Sequence, residues 1–359
     1  MRPSWVEVDL GAIAHNVEAF SRLVAPARLC AVVKADAYGH GDVPVASAAL
    51  DAGAEWLAVA LVEEGIRLRE AGIEAPILLL SEPVVGDAAL VVEWGLTPTI
   101  YRHAMLEAYA EVAPPGSPIH LKVDTGMHRV GAPPNVARNL ARQAGSLGVR
   151  VEGAWTHFAV AEDDAEFTAG QAAAFARAVD GLDVEVRHLA NTAGTIGQPA
   201  ARADMVRVGL GIYGLYPSPA QRRLVDLRPA MSVRSEVSYV RRLPAGSRPS
   251  YGRVRPLERD TTVATVPIGY ADGVPRLLSS TGGEVLIGGV RRPLAGTVTM
   301  DQIVVDCGDD DVVIGDEVVL IGRQGGAEIG ADEWAERTHT ISYEIVCGMG
   351  PRLPRRHLD

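Results

Sequence analysis

Through the first two thirds of this chain, short β-prone apolar runs alternate with longer segments whose apolar residues recur at helical spacing. Few folds satisfy that alternation, because a strand followed each time by a covering helix builds a parallel sheet. Ile13, Val17, Phe20 and Val24 mark one face of an opening helix, with Asp9 placed to cap it. Leu29-Cys30-Ala31-Val32-Val33 is then unbroken and apolar, as in a strand buried on both faces. Further strands are expected at 56–60, 77–81, 97–100, 120–124, 153–158, 186–190 and 205–208, with helical segments at 43–50, 62–70, 102–112, 135–144 and 167–179. Eight β/α units over residues 1–228 predict a TIM (β/α)8 barrel. A doubly wound sheet fits less well, since no GxGxxG follows the first strand.

From about residue 229 the texture changes. Alternating, β-branched segments follow at 231–241, 261–267, 283–287, 290–294, 303–307 and 316–321, with Gly288-Gly289 as a two-residue hairpin signal and one clear helix at 331–337. Residues 229–359 are therefore expected to form a smaller, mainly antiparallel β domain.

Composition narrows the partners. The net charge of −11 and the lack of a long basic run leave no electrostatic attraction for nucleic acid. There is no run of about 18 apolar residues, and Glu7 and Asp9 stand where a secretory signal would be apolar, so the chain reads as a soluble cytoplasmic protein with no membrane partner. Cys30, Cys307 and Cys347 are odd in number, widely spaced and in no CxxC pair, and read as buried thiols. No HxH or HExxH spacing supports a metal centre.

Reacting groups in such a barrel project from the C-terminal ends of the strands. The residues expected there are polar: Lys34, Asp124 with the loop to Arg129, His157, Asn191-Thr192, and Arg207-Val208-Gly209. Singly each reads as well as a solvated loop residue. Converging on one mouth, they make a pocket. A lysine directly after a buried strand either snorkels to water or, held in low dielectric, becomes a neutral amine able to form a Schiff base. Arg207 with Gly209 and Gly211 suggests an anion cradle of backbone N–H groups. An amine beside a phosphate cradle suggests a phosphorylated aldehyde.

The run Ala31-Val32-Val33-Lys34-Ala35-Asp36-Ala37-Tyr38-Gly39-His40-Gly41 resembles the pyridoxal-phosphate attachment motif of the alanine racemases. Five further matches follow in family order: Lys122 to Arg129, Thr156-His157-Phe158, Arg207 to Gly214, Pro267 to Gly273, and Met300-Asp301-Gln302. The resemblance covers nearly the whole chain, and it implies a pyridoxal 5'-phosphate enzyme that interconverts L- and D-alanine as a homodimer with shared active sites, supplying D-alanine for the cell wall. It further implies that Lys34 carries the cofactor, that Tyr38, Thr192, Gly209 and Leu210 grip its phosphate, and that Arg207 faces the pyridine nitrogen with His157 beside it. A guanidinium does not give up its proton, so that nitrogen stays unprotonated and the ring is a weaker electron sink.

Racemisation needs proton transfer on both faces of a planar carbon, hence two bases. By resemblance they are Lys34 and Tyr270, the latter from the β domain of a second subunit. Arg129 is similar to the residue contacting the cofactor's phenolic oxygen and the substrate carboxylate, Met300 and Asp301 to partner residues on the substrate side, and Lys122 to a lysine that many members carry carbamylated. Thr192 replaces a commoner serine, Val208 a proline and Thr299 a cysteine, and Pro351 stands where some members have a phosphate-binding tyrosine. Two other readings are a racemase for another small amino acid, such as serine, or of broad specificity, and a non-catalytic pyridoxal-phosphate-binding protein. The latter type lacks a second domain, so Tyr270 counts against it.

Overall fold

The eight apolar runs become eight parallel strands because each is followed by a segment that can cover it as a helix. A computed structural model of the chain describes residues 2–359. The strands are Arg28–Val32, Trp56–Val59, Ile77–Leu79, Thr99–Ile100, Pro118–Lys122, Arg150–Trp155, Val186–His188 and Met205–Val208. They form two parallel four-stranded sheets. A bridge from Leu78 to Thr97 joins the sheets at one seam. At the other, the Asp204 amide donates to Arg187 O and the Arg207 amide to Ala190 O, both at 3.0 Å, which closes the barrel.

The chain divides into two compact units, one of residues 11–37 and 41–229, the other of residues 230–359 together with the stretch through Leu10 and Tyr38–His40. In the barrel unit, the helix Leu10–Val24 buries Ile13, Val17, Phe20 and Val24, and Asn16 Nδ2 donates to Ile212 O at 3.0 Å and Arg228 O at 2.8 Å, pinning the end of the unit. Gly214 must be glycine there: its φ is +80°, and a Cβ would lie 1.8 Å from Arg228 O. The barrel's contents include buried Thr99, His120, Lys122, His188 and Arg207 among its aliphatic side chains.

The second unit holds one larger sheet, with Val290–Pro293, Glu284–Ile287, Glu317–Gln324, Met231–Glu236, Ser4–Asp9 and Arg355–Leu358 in that spatial order, and a smaller one of Tyr239–Leu243, Thr261–Val266 and Ile303–Gly308. Gly288 and Gly289, at φ +65° and +75°, turn the expected hairpin. Ser4–Asp9 lies antiparallel to Met231–Glu236 and parallel to Arg355–Leu358. The first strand thus belongs with the residues beyond 229, a pairing across more than 200 positions that local patterning does not reveal. A second helix, Ser342–Cys347, follows the expected one, which spans Ala331–Thr338. It corrects one expectation: Cys30 and Cys307 are buried, but Cys347 ends this helix and is exposed. Among the described residues, no helix is long and apolar enough to cross a membrane, and no group of three or more His, Cys, Asp or Glu could hold a metal ion.

Candidate active site

Lys34 follows the first barrel strand, as the sequence indicates, and the backbone beyond it is unusual. Ala35, Asp36, Ala37 and Tyr38 all have φ between +51° and +54°, a left-handed turn built without glycine. Each such residue costs about 1–2 kcal/mol, so the turn needs external support. The buried carboxylate of Glu64 supplies part of it, accepting from the Ala35 amide at 2.6 Å and from the amides of Ala60 and Leu61 at 2.8 and 3.1 Å. Asp36 Oδ1 also accepts from the Asp42 amide at 3.0 Å.

Across the mouth, Arg207 is 2% exposed. Its Nη1 donates to Nδ1 and the carbonyl of His188, both at 3.0 Å, and its Nη2 to Thr156 O at 2.8 Å and Leu189 O at 3.1 Å. Burial lowers its pKa to about 10, so it stays charged at neutral pH. His157 Nδ1 lies 3.4 Å from Nη2. Burial first, then the charges of Arg207, Lys122, Arg129 and Lys34, holds this imidazole neutral. Lys122, 3% exposed, lies 4.2 Å from the centre of the Trp155 ring, and Arg207 Cζ lies 4.5 Å from the same ring. Burial and repulsion from Arg207, Arg129 and Lys34 lower the Lys122 pKa to about 7.

Arg207, Arg129 and Lys34 therefore all bear on Lys122 at this mouth. Asp124 is the one carboxylate that offsets them at Lys122, and its oxygens are taken by its own loop, through the amides of Gly126 and His128 at 3.1 and 3.0 Å and His128 Nδ1 at 3.0 Å. The mouth suits a ligand bearing several negative charges.

The residues expected to form the anion cradle lie on two adjoining segments. Thr192 opens a helical turn capped by Asn191, whose side chain accepts from the Gly194 amide at 3.0 Å. Gly209 donates its amide to Thr192 Oγ1 at 3.1 Å, directly before the turn Leu210–Tyr213. A Cβ at Gly211 would sit 2.5 Å from the Phe20 ring and 3.0 Å from Thr192 Cγ2, so the two segments approach closely only because that residue is glycine.

In the second unit, Tyr270 begins a short turn after the strand Thr261–Val266 and is 44% exposed. Its amide donates to Thr299 O at 2.9 Å and that of Ala271 to Met300 O at 3.1 Å. A Cβ at Gly269 would come within 2.3 Å of Thr299 O and 2.5 Å of Met300 O. Asp272, fully buried, accepts two bonds from Arg2 at 2.9 and 2.7 Å and a third from the Gly269 amide at 2.9 Å. Arg352 contacts both Asp272, at 3.2 Å, and Asp301, at 2.6 Å. Tyr270, Met300 and Asp301 are thus held by one hydrogen-bonded loop pair. Met300 is 51% exposed. Tyr38 is buried with its ring centre 6.1 Å from that of Tyr343.

Several residues were not legible in the sequence: Glu64, His188, His120, Asp272 and Tyr343. Tyr343 packs its ring 6.1 Å from that of Tyr38. A tyrosine in a short helix near the end of the β domain carried no spacing that linked it to Tyr38.

Comparison with known proteins bears on this geometry. A family model described as alanine racemase, N-terminal domain matches residues 8–217, and one described as alanine racemase, C-terminal domain matches residues 230–357. An alanine racemase of Symbiobacterium thermophilum is 46% identical over 366 residues, covering 99% of this chain and 97% of the relative. The crystal structure of alanine racemase from D-cycloserine-producing Streptomyces lavendulae superposes with a TM-score of 0.94 at 39% identity, over 100% of this chain and 98% of that one. That of the Bacillus anthracis enzyme, with bound L-Ala-P, has a TM-score of 0.94 at 35% identity, over 100% and 96%.

Proposed function

This chain belongs to the alanine racemase family and is an amino-acid racemase, and from that premise we propose that it interconverts L- and D-alanine with pyridoxal 5'-phosphate, two bases and a second copy of itself. The observation that carries the reading is the cationic mouth, where Arg207, Arg129 and Lys34 bear on Lys122 and the offsetting carboxylate of Asp124 is satisfied by its own loop. The donor set fits the cofactor. A phosphate needs hydroxyl and amide donors, which Thr192 and Leu210 would offer, and the Gly209 amide would join them by leaving Thr192 Oγ1. A pyridine nitrogen needs one donor that does not release its proton. Within the Arg207 guanidinium, Nη1 and Nη2 are taken by partners among the described residues, which leaves Nε–H for that nitrogen.

Residues 1–228 would bind the cofactor and residues 229–359 would complete the partner's site. By the family resemblance, Lys34 would hold the cofactor covalently and Tyr38 would add a phenolic donor to its phosphate. When bound, pyridoxal phosphate acidifies the substrate's α-hydrogen by accepting electron density from the α-carbon. Once the substrate's amine has replaced it on the cofactor, the freed Lys34 Nζ would take or return that proton on one face, and Tyr270 Oη of a second copy would serve the opposite face. Arg129 orients the substrate carboxylate, and Met300 and Asp301 of the second copy bound the space for a methyl group. Arg207, with a pKa of about 10, keeps its proton, so the ring nitrogen facing it would stay unprotonated and the cofactor would be a weaker electron sink, which suppresses transamination.

Lys122 at about pKa 7 has an unprotonated fraction at neutral pH. Its nitrogen can add to carbon dioxide, forming an N–C bond and losing a proton, and the resulting anion would sit among three cations and orient Arg129. The family resemblance also implies a cytoplasmic enzyme supplying D-alanine to the cell wall. A carrier without a second domain does not fit a chain whose residues 230–357 match the C-terminal domain. Circular dichroism of L-alanine incubated with the protein and cofactor tests the reading: the signal should decay to zero, and a signal that never decays would refute it. A parallel run with serine tests the breadth of specificity.

A further inference from the structure

Beneath Arg207, the barrel interior contains a line of polar side chains that touch no reacting atom in the mechanism above. Arg207 Nη1 donates to His188 Nδ1 at 3.0 Å. His188 Nε2 lies 2.8 Å from His120 Nδ1, and His120 Nε2 lies 3.3 Å from Glu152 Oε2. Arg150 closes the line, reaching Glu152 Oε1 at 3.1 Å and Glu185 Oε1 at 2.8 Å.

The protons in this line have only one consistent arrangement. A guanidinium only donates, so His188 Nδ1 accepts and its proton sits on Nε2. His120 Nδ1 must then accept, which puts its proton on Nε2, toward the carboxylate. Every ring nitrogen of both imidazoles has a partner, although both rings are fully buried. The surroundings make room for them. A Cβ at Gly153 would come within 2.5 Å of the His120 ring, and His188 stacks on Trp155 at 5.6 Å between centres with 16° between planes.

We propose that His188, His120 and Glu152 are positioning residues for Arg207: a one-way hydrogen-bond array that commits the Nη side of the guanidinium to the barrel wall and leaves Nε–H for the cofactor's ring nitrogen. The proposal rests on the reading of Arg207 given above. Without an acceptor at His188, Nη1 would keep only a carbonyl partner and the guanidinium could rotate. The array also keeps both imidazoles neutral, since a second proton on either would set one donor against another. Burial, with the Arg207 charge, favours the same state.

The test uses the full-length protein with histidine labelled in its ring nitrogens, with pyridoxal phosphate and after its removal. Long-range proton–nitrogen NMR should show Nε2–H tautomers for His188 and His120 in both samples; an Nδ1–H tautomer at either position overturns the array. His120→Phe removes the acceptor and should weaken pyridoxal-phosphate binding about tenfold, whereas His120→Asn, whose Oδ1 replaces Nδ1, should restore it. A phenylalanine variant that holds the cofactor as tightly as the parent overturns the proposal. Should that variant fail to fold, Glu152→Leu breaks the array at its partly exposed end, with weaker cofactor binding expected and unchanged binding contradicting it. Because the tautomers are read without cofactor, intact tautomers in a protein that binds no pyridoxal phosphate would defeat the functional reading, and Nδ1–H histidines in an active racemase would defeat only the array.

Discussion

Lys122 Nζ lies 4.2 Å from the centre of the Trp155 ring, so an amine is stored where water cannot stabilise its charge. Its pKa of about 7 follows from that burial and from its cationic neighbours. Protein kept in ¹³C-bicarbonate should give a carbamate carbon resonance that Lys122→Ala lacks. The same variant should raise KM for alanine about tenfold, since Arg129 loses an anionic partner. Identical spectra with and without Lys122 would contradict the modification.

Glu64 should prove as important as its distance from the chemistry makes it inconspicuous. Its carboxylate accepts from the amides of Ala35, Ala60 and Leu61, and Glu64→Ala would leave the left-handed turn after Lys34 without that support. The expected loss is about 2–4 kcal/mol in unfolding free energy, read by denaturant titration, together with a weaker cofactor band. A variant as stable as the parent would show that the turn is held elsewhere.

Gly269→Ala should act on the Tyr270 turn alone. A methyl group there meets two carbonyl oxygens, at 2.3 and 2.5 Å, so the turn must move. Cofactor absorbance should persist while kcat falls about a hundredfold, the scale expected for a catalytic group displaced by about 1 Å. A parallel loss of cofactor would instead point to damage in the barrel.

Stability should fall on mild acidification. His157 and His188 have folded pKa values held well below the ordinary 6.5, by burial first and then by nearby positive charge. The unfolded chain therefore binds more protons below pH 6.5, so the stability present above that pH is lost as pH drops toward the folded values. The two losses act in the same direction and add. Denaturant midpoints at pH 7.5 and 5.5 check this, and an unchanged midpoint would mean the imidazoles titrate freely.

The barrel was legible because its strands are local, apolar and each followed by a helix. Residues 62–70 and 205–208 coincide with the observed Val62–Glu70 helix and Met205–Val208 strand. Ser4–Asp9 was not legible, since its partners begin at Met231 and Arg355 and nothing in its own sequence names them. At the site, Lys34, Thr192 and Gly209 announced themselves by following buried strands, and Arg207 as a charge near the end of one. His188 and His120 lay inside apolar strands, where a polar residue gives no hint of a partner across the barrel. Glu64 sat in an ordinary amphipathic helix, and its value depends on three amides brought to it by the fold.

The central claim is that Lys34 and Tyr270 serve opposite faces of one carbon, and Tyr270→Phe in D₂O tests it most directly. With the phenol gone, racemisation should fall by about 10²–10⁴-fold, while one enantiomer of alanine, the one whose α-hydrogen faces Lys34, goes on exchanging that hydrogen for deuterium without inverting. If exchange and racemisation fall together for both enantiomers, or if racemisation is unaffected, the two-base account is wrong.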